Sequence, residues 1–125
     1  MDKKYTDKLN KKEKSIIVDA HTEAPFSGEY NNFYSEGNYV CKACNLKLFE
    51  SNAKFNSNCG WPSFDQAIKG RVKMRRDDSL GRIRTEIICS NCDGHLGHVF
   101  KGEEFTNKNT RYCVNSLSLK FIPKS

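Results

Sequence analysis

Two pairs of closely spaced cysteines constrain the fold of this chain more than any other feature of its sequence. Cys41 and Cys44 form one C-x2-C pair, Cys89 and Cys92 form the second, and 44 residues separate the two pairs. Each pair can direct both of its sulfur atoms to one ion, so together they can supply the four thiolates of a tetrahedral zinc site. We therefore expect a structural zinc ion, one per chain, that clamps two halves of the domain together. Two buried pairs of free thiols are the alternative, and a single C-x2-C pair would equally suit a redox function.

The composition gives a second reason to expect a metal. The chain has 125 residues, of which 37% are hydrophobic, and a mean hydropathy of -0.73. A domain of this size buries about two thirds of the surface that its unfolded chain exposes, so its core is modest. Structural zinc contributes on the order of 10 kcal/mol to the folding of small finger peptides, which would compensate for a thin core. We expect one domain over residues 1–125, with residues 1–10 forming a mobile tail.

The chain carries no segment typical of export or of a membrane. Its N-terminal region has no apolar run long enough for a signal peptide, and no later segment approaches the ~20 apolar residues of a membrane span. We expect a cytoplasmic protein, because thiols stay reduced there and cysteines serve metals or catalysis. The net charge is +6, but half of that excess lies in residues 1–14. We therefore expect neither a nucleic acid nor a membrane as partner.

The pattern of the chain beyond its N-terminal region indicates a mainly β fold. Residues 11–20 predict a short helix, and Pro25 and Gly28 follow it as breakers. The later apolar segments are short and are separated by turn residues, which is typical of antiparallel strands. The strands expected from them cover residues 39–42, 46–51, 71–76, 82–89, 97–102 and 111–122. With a hairpin turn predicted at residues 77–81, this spacing favours a small antiparallel sandwich or open barrel.

Cys59 and Cys113 lie outside the two pairs. Cys113 falls in the strand-like segment 111–122, where alternation puts five residues on one face: Cys113, Asn115, Leu117, Leu119 and Phe121. The apolar members belong to the core, which leaves Cys113 and Asn115 at its open end. A half-sheltered thiol with a cation nearby, here Arg111, is expected to have a lowered pKa. An inert buried cysteine is the alternative.

Two histidines follow the second cysteine pair. His95 and His98 lie in "CDGHLGHVF" and are two of the three histidines of the chain. A metal at Cys92 would anchor this stretch, and imidazole titrates near neutral pH, so we interpret both histidines as proton donors or acceptors. They could instead be zinc ligands, although four thiolates already complete a tetrahedron.

Trp61, the single tryptophan, lies in the loop-like segment "CGWPSF". A glycine precedes it and a proline follows it, which is an unusual setting for so large an apolar group. One interpretation is an aromatic wall for a small apolar group in a pocket. The other is a tryptophan that fills the core.

Taken together, these motifs closely resemble the B-type methionine-R-sulfoxide reductases. The matching segments begin at about Thr22 and follow the order and spacing of that family: "TEAPFSGEY", "YVCKACNLKLFES", "CGWPSF", "HLGHVF" and "RYCVNSLSLKF". The resemblance implies two small antiparallel sheets with an N-terminal helix. It implies reduction of the R epimer of methionine sulfoxide, with structural zinc as cofactor and thioredoxin as reductant. We expect a monomer.

The resemblance also implies a role for each site residue. Cys113 would be the nucleophile that becomes a sulfenic acid, and Cys59 the resolving cysteine that forms a Cys59–Cys113 disulfide. Trp61 would pack on the substrate methyl group. The chemistry of the thiol, apart from the resemblance, adds Arg111 at the substrate site, where with the histidines it would raise the thiolate fraction. The groups that would hold the sulfoxide oxygen or a bridging water are His95, His98 and Asn115. The zinc ligands would be Cys41, Cys44, Cys89 and Cys92.

One segment departs from the family pattern. Many relatives carry an Asp-rich, Pro/Gly-rich stretch after the second histidine, whereas residues 101–110 here read "KGEEFTNKNT", without proline. This departure leaves open the conformation of the loop and any acidic contact from it to His98.

Two other functions fit part of the sequence. A non-enzymatic zinc module that binds protein or nucleic acid would explain the cysteine pairs and the positive charge. It would give no role to Cys113, Trp61 or the two histidines. A thiol peroxidase would also pass through a sulfenic acid and a resolving cysteine, and relative turnover of peroxide and methionine sulfoxide would distinguish it.

Overall fold

A computed structural model describes residues 1–124 of the chain. Within these residues the chain forms two helices, two 3-10 turns and nine strands in two antiparallel sheets. The predicted mainly β fold is confirmed. None of the helices in the described part of the chain has the length and apolar character needed to cross a membrane.

Helix α1 covers Lys3–Thr6 and helix α2 covers Lys11–Ile17. The start of α2 is fixed by a capping box: Asn10 Oδ1 accepts from the Glu13 N–H at 2.8 Å, and Glu13 Oε1 accepts from the Asn10 N–H at 2.9 Å. The helix predicted over residues 11–20 is too long by three residues. Ala20 has a φ of 60°, which is left-handed, so the chain has already turned away from the helix there.

The segment expected to be a mobile tail, residues 1–10, contains α1 and contributes to the core. Leu9 is only 6% exposed, and Tyr5 packs against the same cluster. The last residues of this segment are therefore held by apolar contacts. Mobility of the residues before them stays a prediction.

The strands form one sheet of three and one of six. In the order β2-β1-β9, the first sheet consists of β2 (Lys47–Glu50), β1 (Gly37–Cys41) and β9 (Leu119–Pro123). In the order β3-β4-β8-β7-β6-β5, the second consists of β3 (Lys54–Phe55), β4 (Ser63–Phe64), β8 (Thr110–Val114), β7 (His95–Lys101), β6 (Arg84–Cys89) and β5 (Val72–Asp77). Strands β5 and β6 pair directly, as the predicted hairpin turn between them requires.

The single strand predicted over residues 111–122 is wrong. Strand β8 ends at Val114, a 3-10 turn covers Ser116–Ser118, and β9 then joins the other sheet. The common face expected for Cys113, Asn115, Leu117, Leu119 and Phe121 therefore does not exist. The alternation of apolar and polar residues continues through the turn, so the sequence pattern concealed the break.

Aromatic side chains join the two sheets across the core. Tyr39 of β1, Phe49 of β2 and Phe64 of β4 are fully buried. The rings of Phe49 and Phe64 stack with centroids 4.3 Å apart, and Tyr39 meets Phe64 edge-on at 5.0 Å. Such pairs contribute about 0.5–1.5 kcal/mol beyond the burial of their area. They hold β4 against the three-stranded sheet, and β4 lies beside the strand that carries Cys113.

Gly97 allows β7 and β8 to pair closely. It lies opposite Val114, and a Cβ atom at this position would overlap the carbonyl oxygen of Cys113. We predict that Gly97→Ala lowers the free energy of unfolding by more than about 2 kcal/mol, because the two strands must separate. Denaturant-induced unfolding measures the change.

Gly102→Ala is the matched control. Its φ of 90° is unfavourable for alanine, but nothing lies within 4 Å of the added Cβ atom. The control should lose about 1 kcal/mol, the ordinary cost of a left-handed residue with a side chain. Equal losses in the two variants would contradict the close approach of β7 and β8.

Candidate active site and metal centre

The two cysteine pairs form matching turns at the ends of β1 and β6. The residue after each pair is left-handed, with a φ of 66° at Asn45 and 65° at Asp93. Its N–H donates to the carbonyl of the first cysteine of the pair, at 2.8 Å to Cys41 and 2.9 Å to Cys89. The turn-forming residues that follow each pair in the sequence thus shape two equivalent turns whose sulfur atoms meet.

The sulfur atoms of the four paired cysteines lie within 4.8 Å of one another. Cys41 Sγ is 3.6 Å from Cys92 Sγ, and Cys44 Sγ is 3.5 Å from Cys89 Sγ. Four ligands around zinc, with Zn–S bonds of about 2.3 Å, have sulfur atoms about 3.8 Å apart. The four cysteines therefore fit a metal ion of this kind, and the set does not include His95 or His98.

This centre lies between the two sheets. Cys41 ends β1 of the three-stranded sheet, and Cys89 ends β6 of the six-stranded sheet. Strand β7 begins at His95, three residues after Cys92, so the centre holds the start of the strand that carries both histidines. Gly94 is needed in between, because a Cβ atom there would lie 2.8 Å from Ile17 Cγ2.

A cleft of about 180 Å³ opens beside β7 and β8. It brings together most of the residues that the sequence singled out: Cys59, Trp61, His98, Arg111, Cys113 and Asn115. His95 is the exception, since it lines an adjacent cleft. The two clefts share Thr22, Arg84 and His98, so they meet at His98.

The strand register explains why His98 and Cys113 lie together. They are directly opposite each other on β7 and β8, and opposite residues project from the same face of a sheet. Arg111 shares that face, two residues before Cys113. On the other side of β8, Ser63 of β4 lies opposite Cys113. Sequence reasoning missed β4, because a strand of two residues shows no periodicity.

Cys59 lies beside Cys113 because the chain folds back before β4. Its sulfur atom is 3.5 Å from Ser63 Oγ and 3.5 Å from the carbonyl oxygen of Trp61. A side-chain hydrogen bond with Cys113 lowers the pKa of the Cys59 thiol to about 4, against the effect of burial. The same hydrogen bond, together with burial, raises the pKa of Cys113.

The expected lowering of the Cys113 pKa is therefore wrong for the reduced pair. Two thiolates side by side would repel each other, so the reduced pair favours one negative charge and one shared proton. Arg111 favours the charge on Cys113, but this effect is smaller than the hydrogen bond that favours it on Cys59. The sequence indicated the cation, Arg111, but it did not indicate Cys59, whose effect on the pKa of Cys113 is larger.

Trp61 and Asn115 are both tied to the backbone of Glu23. Trp61 Nε1 donates to the Glu23 carbonyl at 3.0 Å, and Asn115 Oδ1 accepts from the Glu23 N–H at 3.0 Å. Asn115 Nδ2 donates to the carbonyl of Leu96 of β7 at 3.1 Å. Glu23 is 7% exposed, and burial raises the pKa of its carboxyl group. Sequence reasoning gave Glu23 no role, although it lies in the first of the matching segments.

A carboxylate contacts each histidine. His95 Nδ1 lies 2.6 Å from Glu86 Oε2, and His98 Nε2 lies 2.7 Å from Asp77 Oδ2. Burial lowers the pKa of His95, although Glu86 acts in the opposite direction. Within residues 1–124, His95 Nε2 is buried without a hydrogen-bond partner. Sequence reasoning missed both carboxylates, because each comes from the β5–β6 hairpin and reaches its histidine only through strand pairing.

The loop that departs from the family pattern, residues 101–110, serves Arg111. Its Glu103 accepts from Arg111 Nε at 2.8 Å and from Nη2 at 3.2 Å. The guanidinium group also lies over the ring of Phe100, 4.6 Å from its centroid. The loop thus fixes the cation of the cleft, and the carboxylate at His98 comes from Asp77 instead.

Comparison with known proteins identifies the family. Residues 9–123 match the family model described as the SelR domain. This chain belongs to the SelR family. It is 52% identical over 112 residues to the peptide methionine sulfoxide reductase MsrB of Bradyrhizobium diazoefficiens. The aligned residues cover 88% of this chain and 79% of that protein. It is 50% identical over 115 residues to the MsrB of Herminiimonas arsenicoxydans, which covers 90% and 82%. The predicted membership of the B-type methionine sulfoxide reductases is confirmed.

A solved structure outside these relatives shares the fold. The Mis18 'Yippee-like' domain matches this SelR chain with a TM-score of 0.59 at 17% identity, covering 73% of this chain and 99% of that domain. At this identity the likeness concerns the fold alone.

Loss of one metal ligand should unfold part of the SelR domain. We predict that Cys44→Ser removes most of the bound metal and lowers Tm by about 10 °C or more, because the two sheets lose one of their links. Metal analysis and thermal unfolding measure both effects. Cys59→Ser is the control, since Cys59 lies outside the cluster and this variant should keep its metal and its Tm. A Cys44→Ser protein without metal but with the wild-type Tm would contradict this account.

The shared proton of the thiol pair predicts a pH dependence for alkylation. A thiol reacts above its pKa, so Cys59 should react with iodoacetamide between pH 5 and 6, where an ordinary thiol of pKa ~8.5 is protonated. In Cys113→Ala the hydrogen bond that most lowers the Cys59 pKa is lost. The midpoint of alkylation should then rise by about 1 pH unit or more. An unchanged midpoint, read by peptide mass mapping, would show that the two thiols do not share a proton.

Proposed function

We propose that this chain reduces the R epimer of methionine sulfoxide to methionine, with Cys113 as the nucleophile. Membership of the SelR family and the named activity of its relatives support the reaction. One observation carries the mechanism: Cys113, Cys59 and His98 line the same cleft. A nucleophile, a second thiol and a proton donor are the three groups that reduction of a sulfoxide by thiols needs.

The first step transfers oxygen to Cys113. The sulfoxide sulfur carries partial positive charge, and its oxygen leaves only when protonated. The Cys113 sulfur attacks the sulfoxide sulfur, and a bond forms between the two sulfur atoms. The substrate S–O bond then breaks, the oxygen bonds to the Cys113 sulfur, and the bond between the two sulfur atoms breaks. Methionine departs, and Cys113 is left as a sulfenic acid. His98, directly opposite Cys113 in the strand register, is suited to donate the proton. His95 and Asn115 would assist by holding the oxygen or a water molecule next to it.

Substrate binding would use the apolar and cationic walls of the cleft. Trp61 would pack on the methyl group of the substrate, and its ring is held in place by the hydrogen bond to the Glu23 carbonyl. Arg111, fixed by Glu103, would stabilise negative charge on Cys113 as the shared proton moves to Cys59.

The second step forms a disulfide. The Cys59 sulfur attacks the sulfenic acid, the S–O bond of Cys113 breaks, and water leaves as the Cys59–Cys113 bond forms. Two thiols are oxidised and one sulfoxide is reduced, so atoms and electrons balance. A dithiol must then reduce the disulfide, and we propose thioredoxin, acting on a monomer in the cytoplasm.

We propose that the metal held by Cys41, Cys44, Cys89 and Cys92 is zinc. Zinc without redox chemistry suits a site of four thiolates that lies apart from the reacting thiols. Bound there, it would supply a structural link and no chemistry to the sulfoxide. The cysteine turns themselves hold the start of β7, and with it His95, beside the cleft.

Cys113→Ser and Cys59→Ser test the two steps separately. Cys113→Ser should abolish reduction of methionine-R-sulfoxide and keep its fold and metal, because a hydroxyl group is a far weaker nucleophile than a thiol. Cys59→Ser should still form one equivalent of methionine per chain. Its turnover with thioredoxin should fall steeply, since no disulfide forms, whereas dithiothreitol can reduce the sulfenic acid directly.

The same assay separates the other functions. The S epimer should not react, and hydrogen peroxide should be turned over far more slowly than methionine-R-sulfoxide. Faster turnover of peroxide would favour a thiol peroxidase. Binding of nucleic acid or protein with no reduction of either epimer would favour an interaction module. Residual turnover by Cys113→Ser with the R epimer would sink the assignment of the nucleophile.

A further inference from the structure

Asp77 contacts residues of two other strands, and neither the sequence motifs nor the proposed reaction gives it a role. It is the last residue of β5, and Arg84, its partner across the hairpin, is the first residue of β6. Asp77 Oδ2 lies 2.7 Å from His98 Nε2 and 3.2 Å from Arg84 Nη2. The exposed fractions of the three side chains are 15% for Asp77, 10% for His98 and 16% for Arg84. The contact is thus largely screened from water.

Both carboxylate oxygens of Asp77 are held. Oδ1 accepts from the backbone N–H of Ser79 at 3.0 Å, while Oδ2 accepts from His98 Nε2 and Arg84 Nη2. Hydrogen bonds from Ser79, followed by the contact with His98, keep the pKa of Asp77 well below its usual range. A carboxylate fixed at both oxygens has one orientation, and it imposes one orientation on the ring that it contacts.

The orientation of the His98 ring matters because of where His98 lies. His98 is opposite Cys113 and lines the cleft of the two reacting thiols. With Nε2 donating to Asp77, the protonated ring carries its second proton on Nδ1, and Nδ1 is the nitrogen left to donate to another partner. The loop at residues 101–110 offers its contact to Arg111 through Glu103 instead. Among the described residues, Asp77 is the carboxylate that contacts His98.

We propose that Asp77 is a positioning residue for the reaction, which holds the His98 ring with Nδ1 available to the sulfoxide oxygen at Cys113. This inference rests on the proposed function. The competing interpretation is that Asp77 only stabilises the hairpin, through the Ser79 turn and the ion pair with Arg84. The two interpretations differ in whether loss of Asp77 matters once His98 is gone.

A double-mutant cycle distinguishes them. The measured quantity is the single-turnover rate of methionine formation from methionine-R-sulfoxide, together with metal content and Tm. Asp77→Ala should slow this step between about tenfold and a hundredfold, the range typical of a residue that orients a functional histidine, with little change in the affinity for the sulfoxide. In a His98→Ala background, adding Asp77→Ala should slow it by less than about twofold, because the ring that Asp77 orients is absent.

Asp78→Ala is the matched control. It removes the neighbouring aspartate, which is exposed and lies 3.8 Å from Arg76, away from His98. Its rate should equal that of the wild type. Asp77→Asn is the variant to use if Asp77→Ala fails to fold. Asparagine has a single acceptor oxygen, which can accept from Ser79 or from His98 but not from both. It should therefore slow the step about tenfold or more, again only when His98 is present.

The outcomes separate the inference from the function on which it rests. If the wild type forms methionine and Asp77 variants stay within twofold of it, Asp77 has no positioning role. The same conclusion follows if the loss is equally large with and without His98, which is the signature of the hairpin interpretation. A wild type that forms no methionine from either epimer would overturn the proposed function and the inference together.

Discussion

Four cysteine sulfur atoms meet where the ends of β1 and β6 approach each other, and all of them lie within 4.8 Å. This contact fixes the two sheets relative to one another, because Cys41 ends a strand of one sheet and Cys89 ends a strand of the other. It also fixes the start of β7, because His95 follows Cys92 by three residues. The rest of the site is built outward from β7, through strand pairing on both of its edges.

Strand pairing then brings together the candidate site residues, which come from several neighbouring elements. β8 carries Cys113 opposite His98, the loop before β4 carries Cys59, and the β5–β6 hairpin carries Asp77 and Glu86 behind the two histidines. Cys59 and Cys113 lie on two elements that meet only in the folded chain. The same holds for each histidine and its carboxylate, so the site depends on the register of the six-stranded sheet.

The sequence predicted those features whose signal is local. The C-x2-C spacing indicated the metal site, short β-branched segments indicated the mainly β fold, and the motif around Cys113 indicated the family. The features it did not predict arise from contacts between distant segments. Asp77 looked like a turn residue, and the charge of the thiol pair depends on Cys59, 54 positions before Cys113. The break after Val114 was hidden because a 3-10 turn continued the alternation of a strand.

The central claim is that the reacting thiols and the metal-site thiols are separate sets that do not exchange. Peptide mass mapping after reaction of the wild type with one equivalent of methionine-R-sulfoxide, without reductant, tests it most directly. The account predicts a single disulfide between Cys59 and Cys113, with the metal still bound at the stoichiometry of the reduced protein. A disulfide from Cys113 to any of the four paired cysteines, accompanied by release of the metal, would contradict it.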